Sequence, residues 1–282
     1  MNRHRTVRVP ASSANLGPGF DVMGAALDLH MEVDVVETGT FAVHTDLKIA
    51  RDRRNLIVRG FAALADPDGF EFTIRSDIPL SGGLGTSAAA IVAGLVAADS
   101  IFELGADLLA EATRIEGHPD NVAAALLGGF VLCSDGHAER FEPPPGLECL
   151  LVVPGAAVRT QKAREALPSR IPVSDAVFNI AHASLLVLGL AKGDLALVRR
   201  GLRDRIHQPR RAHLYPRSWE LVQQAQDLGA LGATISGAGP TVLVWCDFES
   251  TGAVSARLHE LADGWAEVLR VPFTPTGAQT RF

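Results

Sequence analysis

The hydrophobic and polar positions in the first half of the chain alternate over several short stretches. Alternation is typical of strands with one buried face, and residues 70–77 show it most clearly. Longer proline-free stretches of good helix formers, such as residues 86–98, predict helices. In this half the pattern predicts strands at 6–9, 28–37, 41–45, 70–77 and 130–134, and helices at 55–64, 86–98, 104–115 and 121–127.

The second half shows the same mixture of strands and helices beyond a Pro-Pro-Pro-Gly stretch at 143–146, which is the best candidate hinge. The pattern predicts two α+β halves, 1–146 and 147–282, with helices packed on an antiparallel sheet. The predicted elements of the second half are strands at 148–153, 233–235, 242–246 and 267–271, and helices at 162–167, 174–190, 195–202, 217–228 and 250–262.

Composition excludes several classes of protein. With 282 residues, 47% hydrophobic and 21% charged, the chain is typical of a globular protein rather than a disordered one. A net charge of −6 argues against a general nucleic-acid binder. The longest apolar runs, 88–98 and 183–191, are too short to span a bilayer, and no signal core follows the N-terminus. We therefore expect a cytoplasmic protein without a membrane partner, whose three cysteines, Cys133, Cys149 and Cys246, are reduced core residues.

The most informative segment is the glycine-rich stretch at 79–90, which follows a predicted strand and runs into a helix. Gly82, Gly83 and Gly85 allow backbone amides to approach an anion, and the helix adds its unpaired N-terminal amides. No lysine follows the loop, so the Walker pattern is absent and a metal ion would have to help neutralise a triphosphate. The alternative is an ordinary strand-to-helix turn with a hydroxyl residue as N-cap.

Two further turns are rich in small and polar residues, at 10–21 and 236–240. In the first, Asn15 and Asp21 could face a ligand, or could equally satisfy their own backbone as Asx turns. The second, Ser-Gly-Ala-Gly-Pro, allows close backbone approach but by itself is typical of a tight hairpin.

A fourth cluster, Glu-Gly-His-Pro-Asp-Asn at 116–121, places four polar or ionisable side chains before an apolar helix. Asp120 or Asn121 is a plausible N-cap. His118 and Asp120 also raise the question of zinc, but no partner stands at metal-ligand spacing, so we do not predict a zinc site.

Together these segments resemble the GHMP small-molecule kinases, whose three signatures match 10–21, 79–89 and 236–240 in order. The resemblance implies a two-domain fold, with an N-terminal half like domain 2 of ribosomal protein S5 and a ferredoxin-like C-terminal half. Within the superfamily, residues 116–121 with Leu-Leu-Gly-Gly at 126–129, and His-Gln-Pro-Arg-Arg at 207–211, resemble the homoserine kinase branch. The implied reaction is transfer of the γ-phosphoryl group of ATP to the side-chain hydroxyl of L-homoserine, a step of threonine biosynthesis.

The resemblance also implies the residues that bind ATP and a metal ion. Ser87 and Glu116 would hold Mg²⁺, with Glu111 as the alternative carboxylate; a hard cation of this kind takes oxygen ligands and bridges phosphates. The ATP-binding residues it implies are Pro79, Leu80, Ser81, Gly82, Gly83, Leu84, Gly85, Thr86, Ser87 and, in the adenine pocket, Asn55.

On the acceptor side, Asp21 would meet the ammonium group of the amino acid, while Arg164 and Arg211 offer the planar donors that match its carboxylate. Arg210 stands where an aromatic residue is common, which leaves open whether Arg210 or Arg211 faces the substrate. With Asn121 near the place of a possible base, the hydroxyl would attack without one. The acceptor residues implied are Asn15, Asp21, His118, Asp120, Asn121, Thr160, Arg164 and Arg211, and the catalytic ones are Ser87, Glu116, Asn121 and Arg211.

Two other functions stay open on the sequence. One is a GHMP kinase for another alcohol, of the mevalonate, shikimate or sugar type, which would not need paired recognition of both charges of an amino acid. The other is a non-catalytic member that binds a metabolite. A homodimer is an assembly that the sequence neither requires nor excludes.

Overall fold

In the computed structural model, residues 3–80, 82–155 and 160–281 are described. Their strands form two sheets, and helices pack on both. The strands are β1 (His4–Ala14), β2 (Met23–Glu37), β3 (Ala42–His44), β4 (Phe70–Ser76), β5 (Phe130–Ser134), β6 (His137–Phe141), β7 (Leu147–Pro154), β8 (Gly232–Ile235), β9 (Val242–Asp247), β10 (Ala266–Arg270) and β11 (Gln279–Arg281). The helices are α1 (Leu56–Ala62), α2 (Thr86–Phe102), α3 (Leu108–Glu116), α4 (Pro119–Leu127), α5 (Thr160–Glu165), α6 (Val173–Lys192), α7 (Leu195–Gly201), α8 (Gln208–Arg211), α9 (Pro216–Gln224) and α10 (Thr251–Ala262).

The first sheet has seven strands, with a main path β11-β1-β2-β4-β3 and the β5–β6 hairpin attached to β2. The second has four strands in the order β10-β7-β9-β8. The pairs of the second sheet are antiparallel, as predicted, whereas in the first sheet β3 and β4 run parallel. Their connection contains α1, and a crossover of this length is what a parallel pair requires.

Two strands were not predicted, β6 and β11. Both are short and mostly exposed, so neither has the buried alternating face that identifies a strand in a sequence. Strand β6 pairs with β5 across Asp135 and Gly136, which both have positive φ, as a two-residue hairpin requires. Strand β11 pairs with β1 and so brings the C-terminal segment back to the first sheet.

The predicted domain boundary between residues 146 and 147 stays a prediction.

Helix α2 forms the centre of the larger core, with most of its residues buried. Its closest neighbour is α1, and each helix contributes a glycine to the crossing. A Cβ on Gly60 would collide with the carbonyl oxygen of Ile91, and one on Gly94 with that of Ile57. Glycine at both places lets the two backbones touch at the middle of α2.

The three cysteines are free and buried, which confirms the prediction of reduced core residues. Burial raises the pKa of Cys133 and of Cys246 to about 12, and it also raises that of Cys149. Thiols with such pKa values are protonated at neutral pH and are therefore poor nucleophiles.

Helix α6 is longer than the uninterrupted apolar run at 183–191 suggested. Over its 20 residues it is apolar enough to cross a bilayer by length and composition, which by itself is weak evidence for a membrane span. One face packs inward through Leu186 and Leu190. The opposite face leaves Val173, Val177 and Ile180 more than half exposed.

Candidate active site

The three glycine- and serine-rich segments of the sequence converge in space. The Ser236 hydroxyl lies 2.6 Å from the carbonyl oxygen of Gly83 and 2.8 Å from the hydroxyl of Ser13. The amide of Gly237 donates to the carbonyl of Ala14 at 3.1 Å. These contacts join the turn between β8 and β9 to the end of β1 and to the glycine loop. Around them lies a cavity of about 500 Å³.

Gly85, with φ of 66°, is the N-cap of α2 and has no side chain with which to cap it. The alternative of a hydroxyl N-cap is therefore wrong. The Thr86 hydroxyl donates to the carbonyl of Pro79, and that of Ser87 donates to Glu116. Among the described side chains, none accepts from the first amides of this 17-residue helix, and these amides lie at the cavity wall, where the helix dipole also favours an anion.

The glycines of the loop have a second function that the sequence did not indicate. A Cβ on Gly83 would collide with the carbonyl oxygen of Ser236, and one on Gly85 with the hydroxyl of Ser12. Both glycines also have positive φ. They are therefore needed for the packing of the loop against the other two segments, in addition to any approach of a phosphate.

Ser87 and Glu116 form a short hydrogen bond, 2.6 Å between the Ser87 hydroxyl and Glu116 Oε2, and both residues line the cavity. Glu111, the alternative carboxylate, instead pairs with Arg114 on the same helix at 2.7 Å and is not part of the cavity wall. Among the described residues, no group of three or more His, Cys, Asp or Glu side chains could hold a metal ion. Two adjacent oxygen donors fit Mg²⁺, which takes further ligands from phosphates and water.

The opposite part of the cavity wall carries charge. Arg164 on α5 donates to both carboxylate oxygens of Asp21, each at 2.9 Å. This pair raises the pKa of Arg164. The ring of Phe20 lies beside it, 5.8 Å from the guanidinium carbon of Arg164 and 5.2 Å from that of Arg211. Two arginines, one aspartate and one aromatic ring therefore share this region.

Arg211, and not Arg210, faces the cavity. Arg211 is 2% exposed, and its Nε donates to the carbonyl of Ala163 at 2.7 Å. Within the described residues it has no carboxylate within salt-bridge distance, and burial lowers its pKa. Arg210 points elsewhere and pairs with Asp175 at 3.3 Å. A buried guanidinium without a counter-ion at a cavity wall is a strong site for an anion.

Asn15 and Asn121 are both buried beside the cavity and tied to other segments. The Asn15 amide donates to the carbonyl of Gly237 at 2.9 Å and accepts from the Asp21 amide at 3.0 Å. Asn15 therefore supports the loop as well as lining the cavity. Asn121 accepts from the hydroxyl of Ser12 at 2.9 Å.

His118 and Asp120 form a pair at the start of α4. His118 Nδ1 lies 2.9 Å from Asp120 Oδ1, which also accepts from the amide of Asn121 at 2.7 Å. The carboxylate raises the pKa of His118, against the opposing effect of burial. Because Nδ1 is bound to Asp120, the other ring nitrogen is the one left for a ligand in the cavity that His118 lines.

Asn55 lines the cavity but uses its amide on the protein. Its oxygen accepts from the amide of Ile57 as the N-cap of α1, and its nitrogen donates to the carbonyl of Ala50 at 2.7 Å. Around it the wall is mostly apolar and includes Leu47 and Ile49. An apolar wall of this kind suits a flat base.

The remaining predicted residues fall into three groups. Ser81 lies outside the described residues. Pro79 is not part of the cavity wall and contributes through its carbonyl. The cavity is also lined by Leu80, Gly82, Gly83, Leu84, Gly85 and Thr86 from the glycine loop and by Thr160 at the start of α5.

Sequence reasoning assigned no role to Phe20, Ser12 or His207, which contact predicted site residues. Phe20 and Ser12 lie inside the 10–21 segment, so their position within a turn predicted to face a ligand was an available signal. His207 lies inside the 207–211 motif. For Leu47 and Ile49 the sequence offered no signal, since isolated apolar residues of a loop are ordinary.

The comparisons with known proteins agree with this geometry. The family model "GHMP kinases N terminal domain" matches residues 55–129, and "GHMP kinases C terminal" matches residues 186–264. The homoserine kinase of Gloeobacter violaceus is 43% identical over 88% of this chain and 89% of its own. That of Streptomyces avermitilis is 43% identical over 92% of this chain and 90% of its own. The chain belongs to the homoserine kinase family of GHMP kinases.

Solved structures extend the likeness to the whole chain. The homoserine kinase from Cytophaga hutchinsonii superposes with a TM-score of 0.88 at 30% identity, covering 99% of this chain and 98% of that one. A mevalonate kinase superposes with a TM-score of 0.70 at 14% identity, which shows a shared fold alone. The predicted two-domain GHMP kinase fold is confirmed.

Proposed function

We propose that this phosphotransferase moves the γ-phosphoryl group of ATP to the side-chain hydroxyl of L-homoserine. The observation that carries the proposal is one cavity that joins a helix N-terminus free of side-chain caps to a wall with both signs of charge. The first suits a triphosphate and the second suits the ammonium and carboxylate of an amino acid. The family relationship supports the same reaction.

On the acceptor side, the Asp21 carboxylate binds the ammonium group, and the guanidinium groups of Arg164 and Arg211 bind the carboxylate. Arg211 is already desolvated and has no carboxylate partner within the described chain, so a substrate carboxylate removes the cost of its burial. Arg164 must first leave Asp21, to which it is bound in this structure. Asn121 and His118 line the same cavity as Glu116, and we assign them to the hydroxyl end of the substrate.

On the nucleotide side, the amides at the start of α2 bind phosphate oxygens, and the apolar wall near Leu47 and Ile49 contacts the base. Ser87 and Glu116 would hold Mg²⁺, which supplies neutralisation of charge on the phosphates.

The described wall contains two carboxylates near the acceptor, and each is already hydrogen-bonded to another group of the protein. Asp21 is bound to Arg164, and Asp120 is bound to His118 and to the amide of Asn121. We therefore assign neither as a base. Positioning of the hydroxyl and stabilisation of charge carry the reaction, as phosphoryl transfer permits.

Release of ADP in a coupled assay tests this function. With ATP and Mg²⁺ present, L-homoserine should stimulate ADP release, while mevalonate, shikimate and galactose should not. Stimulation by one of these alcohols in place of homoserine would move the chain to another GHMP activity. No stimulation by any alcohol would favour a member that binds a metabolite without turnover.

We also propose a cytoplasmic location and a homodimer. The exposed apolar face of α6 offers a surface for the second subunit.

A further inference from the structure

His207 lies behind the charged wall of the cavity and contacts two parts of it. It is fully buried, with 0% exposure. Its Nε2 lies 2.7 Å from the carbonyl oxygen of Gly17, at the start of the turn that carries Asp21. Its Nδ1 lies 3.4 Å from Nη1 of Arg211, and its ring centroid is 5.3 Å from that of Phe20.

These contacts determine the protonation of the ring. A carbonyl oxygen only accepts, so Nε2 must carry the proton. A guanidinium only donates, so Nδ1 must be unprotonated. His207 is therefore neutral. Burial lowers its pKa, the charge of Asp204 raises it, and the nearby charge of Arg211 lowers it further.

Asp204 fixes the backbone on both sides of the histidine. Its carboxylate is 0% exposed and accepts from the backbone amides of Ile206, His207 and Gln208 and from the side chain of Asn179. This caps the short helix α8, at whose end Arg211 stands. With the backbone on either side fixed, the ring of His207 has little freedom to leave Gly17 and Arg211.

We propose that His207 is a positioning residue for amino-acid recognition: its neutral ring bridges the Gly17 carbonyl and the Arg211 guanidinium. The bridge sets the separation between the turn that carries Asp21 and the arginine that binds the carboxylate. The inference rests on the proposed assignment of Arg211 to the substrate carboxylate. It adds that the separation of the two charge-binding groups depends on one buried side chain that does not touch the substrate.

Two variants remove one contact each. In His207→Gln the side-chain amide can still donate to Gly17, but the acceptor for Arg211 is lost. In His207→Asn the side-chain oxygen stands near the place of Nδ1 and can still accept from Arg211. Because either substitution breaks one end of the bridge, we expect the KM for homoserine to rise about tenfold in each variant. The KM for ATP should stay unchanged in both. His259→Gln, at an exposed histidine of α10 whose ring is hydrogen-bonded to the Ser255 carbonyl of its own helix, is the matched control.

A double-mutant cycle separates positioning from general destabilisation. If His207 acts through Arg211, then His207→Gln should change the homoserine KM by less than about twofold in an Arg211→Lys background. An undiminished tenfold effect in that background, or a folded His207→Gln enzyme with wild-type KM, would overturn the proposal. If Arg211→Lys alone leaves the homoserine KM unchanged, the error lies in the assignment of Arg211 instead.

The wild-type enzyme provides an independent test if the variants do not fold. The bridge requires a neutral imidazole with its proton on Nε2, although the carboxylates of Asp204 and Asp21 favour protonation of the ring. An NMR spectrum of the imidazole nitrogens at neutral pH should therefore show His207 as this neutral tautomer. A charged ring, or a proton on Nδ1, would contradict the bridge.

Discussion

Arg164 and Asp21 bind each other through two hydrogen bonds of 2.9 Å at the mouth of the acceptor site, although they lie 143 positions apart in the chain. Both are assigned to the substrate, and in this structure each neutralises the charge of the other. A zwitterion can replace this ion pair with two new ones. A ligand with a single charge would leave one of the two residues without its partner.

Removing one member of this pair should weaken amino-acid binding. In Asp21→Asn the counter-charge for the ammonium is lost, so the KM for homoserine should rise at least about tenfold. The kcat at saturating homoserine should fall by no more than about tenfold, because a true base would contribute roughly 10² to 10⁴. Steady-state kinetics measure both. A control is Glu148→Gln, which breaks the remote surface pair with Arg270. A thousandfold loss of kcat in Asp21→Asn would show that a carboxylate base operates after all.

Glu116→Gln tests the metal site. The substitution keeps the shape of the side chain but removes the charge that would hold Mg²⁺ beside Ser87, so kcat should fall by about 10² or more. Glu111→Gln is the matched control, since that carboxylate pairs with Arg114 outside the cavity, and its kcat should stay within about twofold of wild type. If the two results were exchanged, Glu111 would be the ligand and the placement of Glu116 would be wrong.

Arg211→Lys tests the carboxylate site. Lysine keeps the charge but loses the planar donors, and it cannot reach both the Ala163 carbonyl and a substrate carboxylate with the same geometry. The KM for homoserine should rise about tenfold or more, with the KM for ATP nearly unchanged. Arg210→Lys should have little effect, because Arg210 pairs with Asp175 away from the cavity. A rise in the KM for ATP would place Arg211 on the nucleotide side.

The His118–Asp120 pair predicts a pH dependence whose sign follows from the raised pKa of His118. A group that binds its proton more tightly in the folded state stabilises the fold below its unfolded pKa of about 6.5, and that stabilisation is lost as the pH rises through the folded pKa. An NMR titration should give His118 a midpoint above 6.5, and Asp120→Asn should lower it. A midpoint at or below 6.5 in the wild type would exclude a charged pair.

Much of the fold could be predicted because periodicity reports burial directly. Strand 70–77 has a clear buried face and was predicted to within one residue. Helix 86–98 is buried on nearly all sides; it was recognised as a proline-free run of good helix formers, and it continues to Phe102. Strands β6 and β11 were missed since their residues are mostly exposed and their pairing depends on a hairpin and on the return of the chain. The local pattern of hydrophobic and polar residues contains no information about these two pairings.

The site shows a similar limit. Motif matching placed the glycine loop, Ser87 and Glu116 at one cavity, but it could not decide between Arg210 and Arg211. That choice depends on which of the two adjacent arginines of the short helix α8 points to the cavity. The capping of α8 by Asp204 fixes the helix and therefore decides it. The contacts that Gly83 makes with Ser236 were also beyond the sequence, because they join segments about 150 residues apart.

The most direct test of the central claim compares three acceptors in the wild-type enzyme. They are L-homoserine, 3-aminopropan-1-ol, which lacks the carboxylate, and 4-hydroxybutyrate, which lacks the ammonium group. If the cavity recognises both charges through Asp21, Arg164 and Arg211, kcat/KM measured by ADP release should fall by at least about 10² for each analogue. Turnover of either analogue at the efficiency of homoserine, or no turnover of homoserine itself, would contradict the assignment.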